Sequence, residues 1–237
     1  MIIRNPNEKK CIDVHWMKYK DSFCLLDQLI ASDASNLLKL LASNFVNHRM
    51  EPGGTEEMPE VVIFPPFPFL GTALAELEGS GTIKVGAQNV GLQTSGAYTG
   101  EVLTSMIRSM GCDYVMLGHS ERRALFDETE KDINAKMHLC LKEPNLSVIL
   151  CEGETEEEYE SDLLRSMVDF QIKKGLMGVE SADLDCIVVG AYKPFCWAIG
   201  TGKVAKPEQA QVAHVVVRPT LSEMFGLILS CINSDTT

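Results

Sequence analysis

Five short apolar runs, each bounded by turn-forming residues and followed by a stretch of helical length, constrain this chain more than any other feature. They are Val61–Phe64, Ile83–Ala87, Tyr114–Leu117, Val148–Cys151 and Ile187–Ala191. Most are apolar on both sides of the period-2 alternation, so they read as strands of a parallel sheet covered on both faces. Between them lie helical patterns at Leu70–Leu77, Val102–Met110, Asp132–Leu141 and from the acidic run Glu152–Glu160 to Gly175, with a further helix over Pro207–Val217. Thr99-Gly100-Glu101 reads as the cap of the second. Upstream, Cys11–Trp16 reads as another strand, Ser22–Phe45 as a helix broken near Ser32–Ser35, and Asn47–Pro59 as a polar loop. Strand and helix in strict alternation define the α/β class.

Length selects among α/β folds. At 237 residues the chain suits a single domain, near the ~250 residues of a (β/α)₈ barrel. No Gly-x-Gly-x-x-Gly opens a helix after the first strand, which argues against a dinucleotide-binding fold. Gly200-Thr201-Gly202-Lys203 is not a P-loop either, because Trp197 stands where the first glycine belongs and Val204 where Ser or Thr belongs. Counting strands, the sequence accounts for six, with Leu227–Cys231 as a candidate seventh, so the barrel reads as incomplete at its C-terminal end.

The formal net charge of −12 argues against nucleic acid or an anionic membrane as partner. No apolar run reaches the ~18 residues of a spanning helix, and MIIRNPNEKK does not read as a signal peptide. Eight scattered cysteines without a C-x-x-C or Cys/His cluster read as reduced, buried thiols rather than a disulfide frame or metal site. Together these make the cytoplasm the simplest compartment, an organelle being the other, and give no sign of a metal site.

Chemistry concentrates in two places. Leu117–Arg123, L-G-H-S-E-R-R, follows a strand, which is where barrel enzymes carry their sites. Val189–Ala205, V-G-A-Y-K-P-F-C-W-A-I-G-T-G-K-V-A, leaves another strand through Pro194 into a glycine-rich loop. Both segments resemble triosephosphate isomerase, whose lid loop reads Y-E-P-x-W-A-I-G-T-G-K. Further likeness lies in Gln88-Asn89, in Gly96–Glu101 and in Cys151-Glu152-Gly153-Glu154, which follows that family's C-x-G-E. The resemblance is strong over Val61–Val217, weak over Cys11–Lys20, and absent in the tail 218–237.

The resemblance implies a barrel, a homodimer, no cofactor, and interconversion of dihydroxyacetone phosphate and glyceraldehyde 3-phosphate in glycolysis. His119 then takes the electrophile position, Glu121 that of a second active-site acid, and Arg122 and Arg123 those of structural ion pairs. The family is a standard example of a neutral imidazole polarising a carbonyl while a carboxylate moves the carbon-bound proton. Gly200 would offer an amide to phosphate. Thr99, with Glu101 in the same loop, would reach the neighbouring subunit's site.

Departures from the family pattern bear on activity. Lys193 stands where the family has its catalytic glutamate, and Phe195-Cys196 adds one residue to the lid's hinge. At a reference pKa near ~10.4, a lysine is a cation at neutral pH and cannot accept the proton. In ungapped register Met17 replaces the substrate-binding lysine and His15 the asparagine before it, with Lys18 one position away. The family's Y-G-G-S and G-G-A-S phosphate turns are absent from the sequence. The expectation is an inactive or severely impaired isomerase homologue, with a structural role in which a partner covers the open barrel. The alternatives are an enzyme acting on a triose or related sugar phosphate through His119 and Glu121, and a Schiff base formed by Lys193 with a carbonyl substrate.

Overall fold

The structure is a computed structural model that describes residues 3–4, 11–12, 14–16, 21–25, 35–36, 38–40, 43, 60–78, 83–191 and 207–226. Nine strands are described: β1 (Ile3–Arg4), β2 (Cys11–Ile12), β3 (Val14–Trp16), β4 (Asp21–Leu25), β5 (Glu60–Phe64), β6 (Ile83–Ala87), β7 (Tyr114–Leu117), β8 (Ser147–Glu152) and β9 (Ile187–Ala191). Seven helices alternate with them from β5 onward: α1 (Leu70–Glu76), α2 (Thr104–Met110), α3 (Ser120–Leu125), α4 (Glu130–Cys140), α5 (Glu156–Glu160), α6 (Leu164–Gly175) and α7 (Pro207–Phe225). Short 3₁₀ turns cover Phe67–Phe69 and Ser181–Cys186.

The chain divides into two compact units, Met1–Met116 with Lys142–Val148, and Leu117–Leu141 with Ile149–Thr237. In the first, β4 pairs parallel with β5 from Asp21↔Glu60 to Leu25↔Phe64, β5 with β6 from Val61↔Ile83, and β6 with β7 at Gly86↔Tyr114 and Ala87↔Val115. These parallel ladders with helices between their strands are the α/β, TIM-type arrangement. The unit's core is the doubly apolar strand residues Val61–Phe64, Val85, Ala87 and Val115, covered by Leu70, Ala73 and Ile107. Gly86 leaves room for one aromatic ring: a Cβ there would lie 2.2 Å from Phe64 Cε1, and Phe64 is completely buried.

In the second unit, β8 and β9 are neighbouring strands. Ile149, Leu150, Ile133, Met137, Val168, Ile172 and Leu176 form the core. Helix α6 packs closely on β8, since a Cβ on Gly175 would lie 3.1 Å from Leu150 Cδ2. Asn134 donates to the carbonyls of Gly175 and Met177, tying α4 to the end of α6. Helix α7 joins α6 through Thr220, whose hydroxyl donates to Asp169, and through Lys173, which bridges Asp169 and Glu223.

Several sequence-based expectations change. The proposed helix Ser22–Phe45 begins in strand β4, where Asp21–Leu25 finds two hydrogen-bonding neighbours, β3 and β5. Sheet pairing there outweighs the short leucine periodicity, and among the described residues of this stretch helix is found at 35–36, 38–40 and 43. The single strand Cys11–Trp16 is two strands, β2 pairing with β1 and β3 with β4. Helix α2 starts at Thr104 behind Leu103, which gives no side-chain cap, so Thr99-Gly100-Glu101 does not cap it. The helix read from Glu152 to Gly175 is two, α5 and α6, parted where Asp162 takes φ 57. Helix α7 runs past Val217 and through Pro219 to Phe225. The candidate strand Leu227–Cys231 lies outside the described residues.

Among the described cysteines, Cys112, Cys140 and Cys151 are buried and not disulfide-bonded, whereas Cys186 is exposed, against the expectation that all are buried. Burial, reinforced by the neighbouring Asp113 carboxylate, pushes the Cys112 thiol up to about 11.

Candidate active site

Strand β7 ends in Gly118, whose φ of 72° lies in the left-handed region that glycine enters without strain. Space demands glycine there as well, because a Cβ would lie 2.8 Å from Arg123 Nη2 and 3.0 Å from the Cys151 carbonyl oxygen. This turn places His119 as the N-cap of α3, buried to 5% exposure, while Glu121 in the first turn stays half-exposed. The sequence reading missed α3: the L-G-H-S-E-R-R motif was legible, the six-residue helix it opens was not.

The imidazole Nδ1 accepts the Glu121 amide N–H at 3.4 Å. An accepting Nδ1 carries a lone pair, so a neutral His119 keeps its proton on Nε2. The Glu121 carboxylate lies 3.8 Å from the same nitrogen. His119 also holds the helix start through its carbonyl, which accepts from the amides of Arg122 and Arg123.

The two arginines fix the frame. Arg123 donates from Nε to the Gly118 carbonyl (2.6 Å), from Nη2 to the Cys151 carbonyl (3.1 Å), and from Nη1 to Glu130 on α4. One guanidinium therefore clamps the end of β7 to the end of β8. Arg122 donates to Glu128 at 3.2 Å, and the buried Lys136 donates to the same carboxylate oxygen. Glu128 is itself buried, so this paired cluster is a fixed internal support.

Immediately after β8 lies the feature the sequence reading missed. The acidic run was expected to start a solvated helix at Glu152, but α5 starts only at Glu156 behind the Thr155/Glu158 capping box. Glu152 and Glu154 are instead 3% and 0% exposed, and among the described residues no other residue hydrogen-bonds their four carboxyl oxygens. Burial raises Glu152 to about 8 against the opposing pull of Arg123. It raises Glu154 to about 7, opposed by that residue's own amide and reinforced by Glu158. Gly153 between them is held at both ends by Gln171 of α6, accepting from its N–H at 2.8 Å and donating to its carbonyl at 3.0 Å. The available signal was the unbroken apolar run from Val148 into Glu152 with no turn residue before the carboxylate.

The remaining candidate residues divide in two. In the first unit, Thr99 and Glu101 are exposed, on a loop whose Glu101 amide donates to Tyr98 O and whose far end closes through Gly91 N–H to Val102 O. His15 pairs with Phe23 in the β3–β4 ladder. Lys18, Lys193, Cys196 and Gly200 lie outside the described residues. Among the described residues, no group of three or more His, Cys, Asp or Glu could hold a metal ion, and no helix is long and apolar enough to cross a membrane.

The sequence model of the family described as triosephosphate isomerase matches residues 35–229. The chain belongs to the triosephosphate isomerase family. The match extends past Val217, into the stretch read from sequence as unmatched. The chain is 40% identical over 220 residues to the triosephosphate isomerase of Chloroherpeton thalassium, covering 92% of this chain and 79% of that one. Against that of Chlorobium phaeobacteroides it is 46% identical over 167 residues, 70% of this chain and 64% of the relative. Against that of Treponema denticola it is 44% identical over 177 residues, 75% and 69% of the two chains. The L-G-H-S-E-R-R turn, the Gly96–Glu101 loop and the C-E-G-E turn therefore sit in a chain of this family.

Proposed function

We propose that this protein takes a triose phosphate as substrate and is a severely impaired triosephosphate isomerase. The observation that carries the family chemistry is the hydrogen bond from the Glu121 amide to His119 Nδ1. It puts the proton of a neutral ring on Nε2, and in this reading that N–H polarises the substrate carbonyl. Burial of the ring keeps that donor out of competition with bulk water. Glu121 is the second acid of the site in this reading, and Gly200 supplies an amide to the phosphate.

Lys193 carries the impairment. Isomerisation of a hydroxyketone phosphate removes a proton from one carbon and returns it to the next, which calls for a base poised between them. Lys193 stands at that position as an ammonium, which has no lone pair to accept with. Loss of a general base costs about 10²–10⁴-fold. His15 and Met17, in place of the family's asparagine and lysine with Lys18 one position away, weaken the electrostatic hold on the enediolate further.

Assembly as a homodimer through the Gly96–Glu101 loop belongs to the same reading. Leu92 and Tyr98 on this loop are 41% and 48% exposed, apolar surface suited to covering by a second copy. Cytoplasmic glycolysis is the setting this activity implies.

The test is turnover of glyceraldehyde 3-phosphate by the unchanged protein and by Lys193→Glu. The reading expects the variant to exceed the parent by about 10²-fold or more. His119→Asn in the Lys193→Glu background should abolish the gain. Equal rates in parent and Lys193→Glu would contradict it.

A further inference from the structure

Glu152 has no place in that chemistry, yet it is a costly side chain: a carboxyl almost wholly out of water, with no hydrogen-bond partner for either oxygen among the described residues. Strand alternation puts it on the same face of β8 as Leu150. Leu150 meets Gly175 of α6, so that face is directed at the helix layer. A role in touching substrate is thereby disfavoured, and a role through its neighbours remains.

The neighbours are specific. Glu152 follows Cys151, whose carbonyl accepts from Arg123 Nη2, and the same guanidinium holds Gly118, the residue before His119. Among the described residues, Arg123 is the cation that acts on Glu152. The charged and titratable groups described around this turn are Arg123 from α3, Glu130 of α4 paired to Arg123, Glu154 in the turn itself, and Glu158 of α5 acting on Glu154. Helix α6 presents the neutral Gln171, and β9, Ile-Val-Val-Gly-Ala, has no ionisable side chain.

We propose that Glu152 is a pH-dependent positioning residue for the His119 turn: neutral, it leaves Arg123 to clamp Gly118 to Cys151, and ionised, it draws that guanidinium away. Only a proton moves, from the Glu152 carboxyl to water. In the neutral state the Arg123 donors are divided among two carbonyls and Glu130. In the ionised state a buried carboxylate on the residue next to Cys151, whose carbonyl this guanidinium holds, outcompetes neutral carbonyl acceptors, because charge-assisted bonds are roughly twice as strong as neutral ones. The Gly118 carbonyl then loses its partner, and the N-cap that orients His119 loosens. The near contact between Gly118 and Cys151 O leaves the two strand ends no slack to absorb the change.

The test is a pH titration by NMR of the full chain, observing the Gly118 and His119 amides together with the Glu152 carboxyl carbon. The expected result is one shared midpoint at about 8 for the carboxyl and both amides. The amide transition should vanish in Glu152→Gln and persist in Glu154→Gln. A Glu152 carboxyl that titrates while both amides stay flat overturns the proposal, and so does an amide transition that persists in Glu152→Gln. Should Glu152→Gln not fold, the wild-type coincidence of midpoints decides alone. Turnover is not read, so the outcome is independent of whether Lys193 limits the isomerase.

Discussion

At the residue scale, the two most informative side chains are a carboxyl with no partner and a glycine with no room. Glu152 titrates at about 8 in the folded chain, against ~4.3 for an unperturbed glutamate. Its folded value is raised, so between those limits the folded state holds the proton while the unfolded state loses it. Stability therefore falls as pH rises through this window, by at most about 1.4 kcal/mol per pH unit for one proton. Glu152→Gln removes this contribution. Urea midpoints should show the variant gaining on the parent from pH 5 to pH 8 and no further above that. A parallel pair of profiles would contradict the burial of an ionisable Glu152. For Gly86, an alanine Cβ would lie 2.2 Å from Phe64 Cε1. Gly86→Ala is expected to lose ~1–3 kcal/mol to overpacking, and Phe64→Leu in that background to recover part of it, by chemical denaturation.

At the element scale, strands were legible and helix starts were not. Val61–Phe64 and Tyr114–Leu117 announce themselves because burial on both faces forces an unbroken apolar run, and Ile83–Ala87 does so with Lys84 as its one interruption. Strand β4 did not, since Asp21–Leu25 is short, mixed in polarity, and becomes a strand only through partners distant in sequence. Helix α3 escaped because it is too short for periodicity to register; α2 was read, but its start was set two residues early because Leu103 opens it with no capping side chain. Where the local signal is strong it works: Thr129 accepts from the Asp132 amide while the Asp132 carboxylate accepts from the Thr129 amide, which starts α4 before the expected Asp132. Thr129→Ala should destabilise the fold by ~1 kcal/mol, read as a lower urea midpoint with unchanged slope. Of the candidate site, the His119 turn was readable because its residue types carry chemistry. The buried Glu152–Glu154 turn was not, because acidic residues ahead of a helix ordinarily read as a solvated first turn.

At the scale of the whole molecule, the chain has a conventional frame and an unconventional residue at one position. Parallel strands with intervening helices and a family match over residues 35–229 place it among the triosephosphate isomerases. The Arg123 clamp and the Arg122–Glu128–Lys136 cluster support the turn that carries His119, the proposed electrophile. In the same proposal Lys193 puts a cation where proton abstraction needs a lone pair. The proposed defect is therefore local to one chemical step, and restoring a carboxylate there should restore the step without rebuilding the fold. The most direct measurement is deuterium incorporation at the exchangeable carbon of glyceraldehyde 3-phosphate in heavy water, followed by NMR for the unchanged protein and for Lys193→Glu. The account predicts incorporation at the uncatalysed rate with the unchanged protein and clearly faster incorporation with the variant. Rapid incorporation by the unchanged protein, or none above background by the variant, would contradict the claim that Lys193 is what stops the proton.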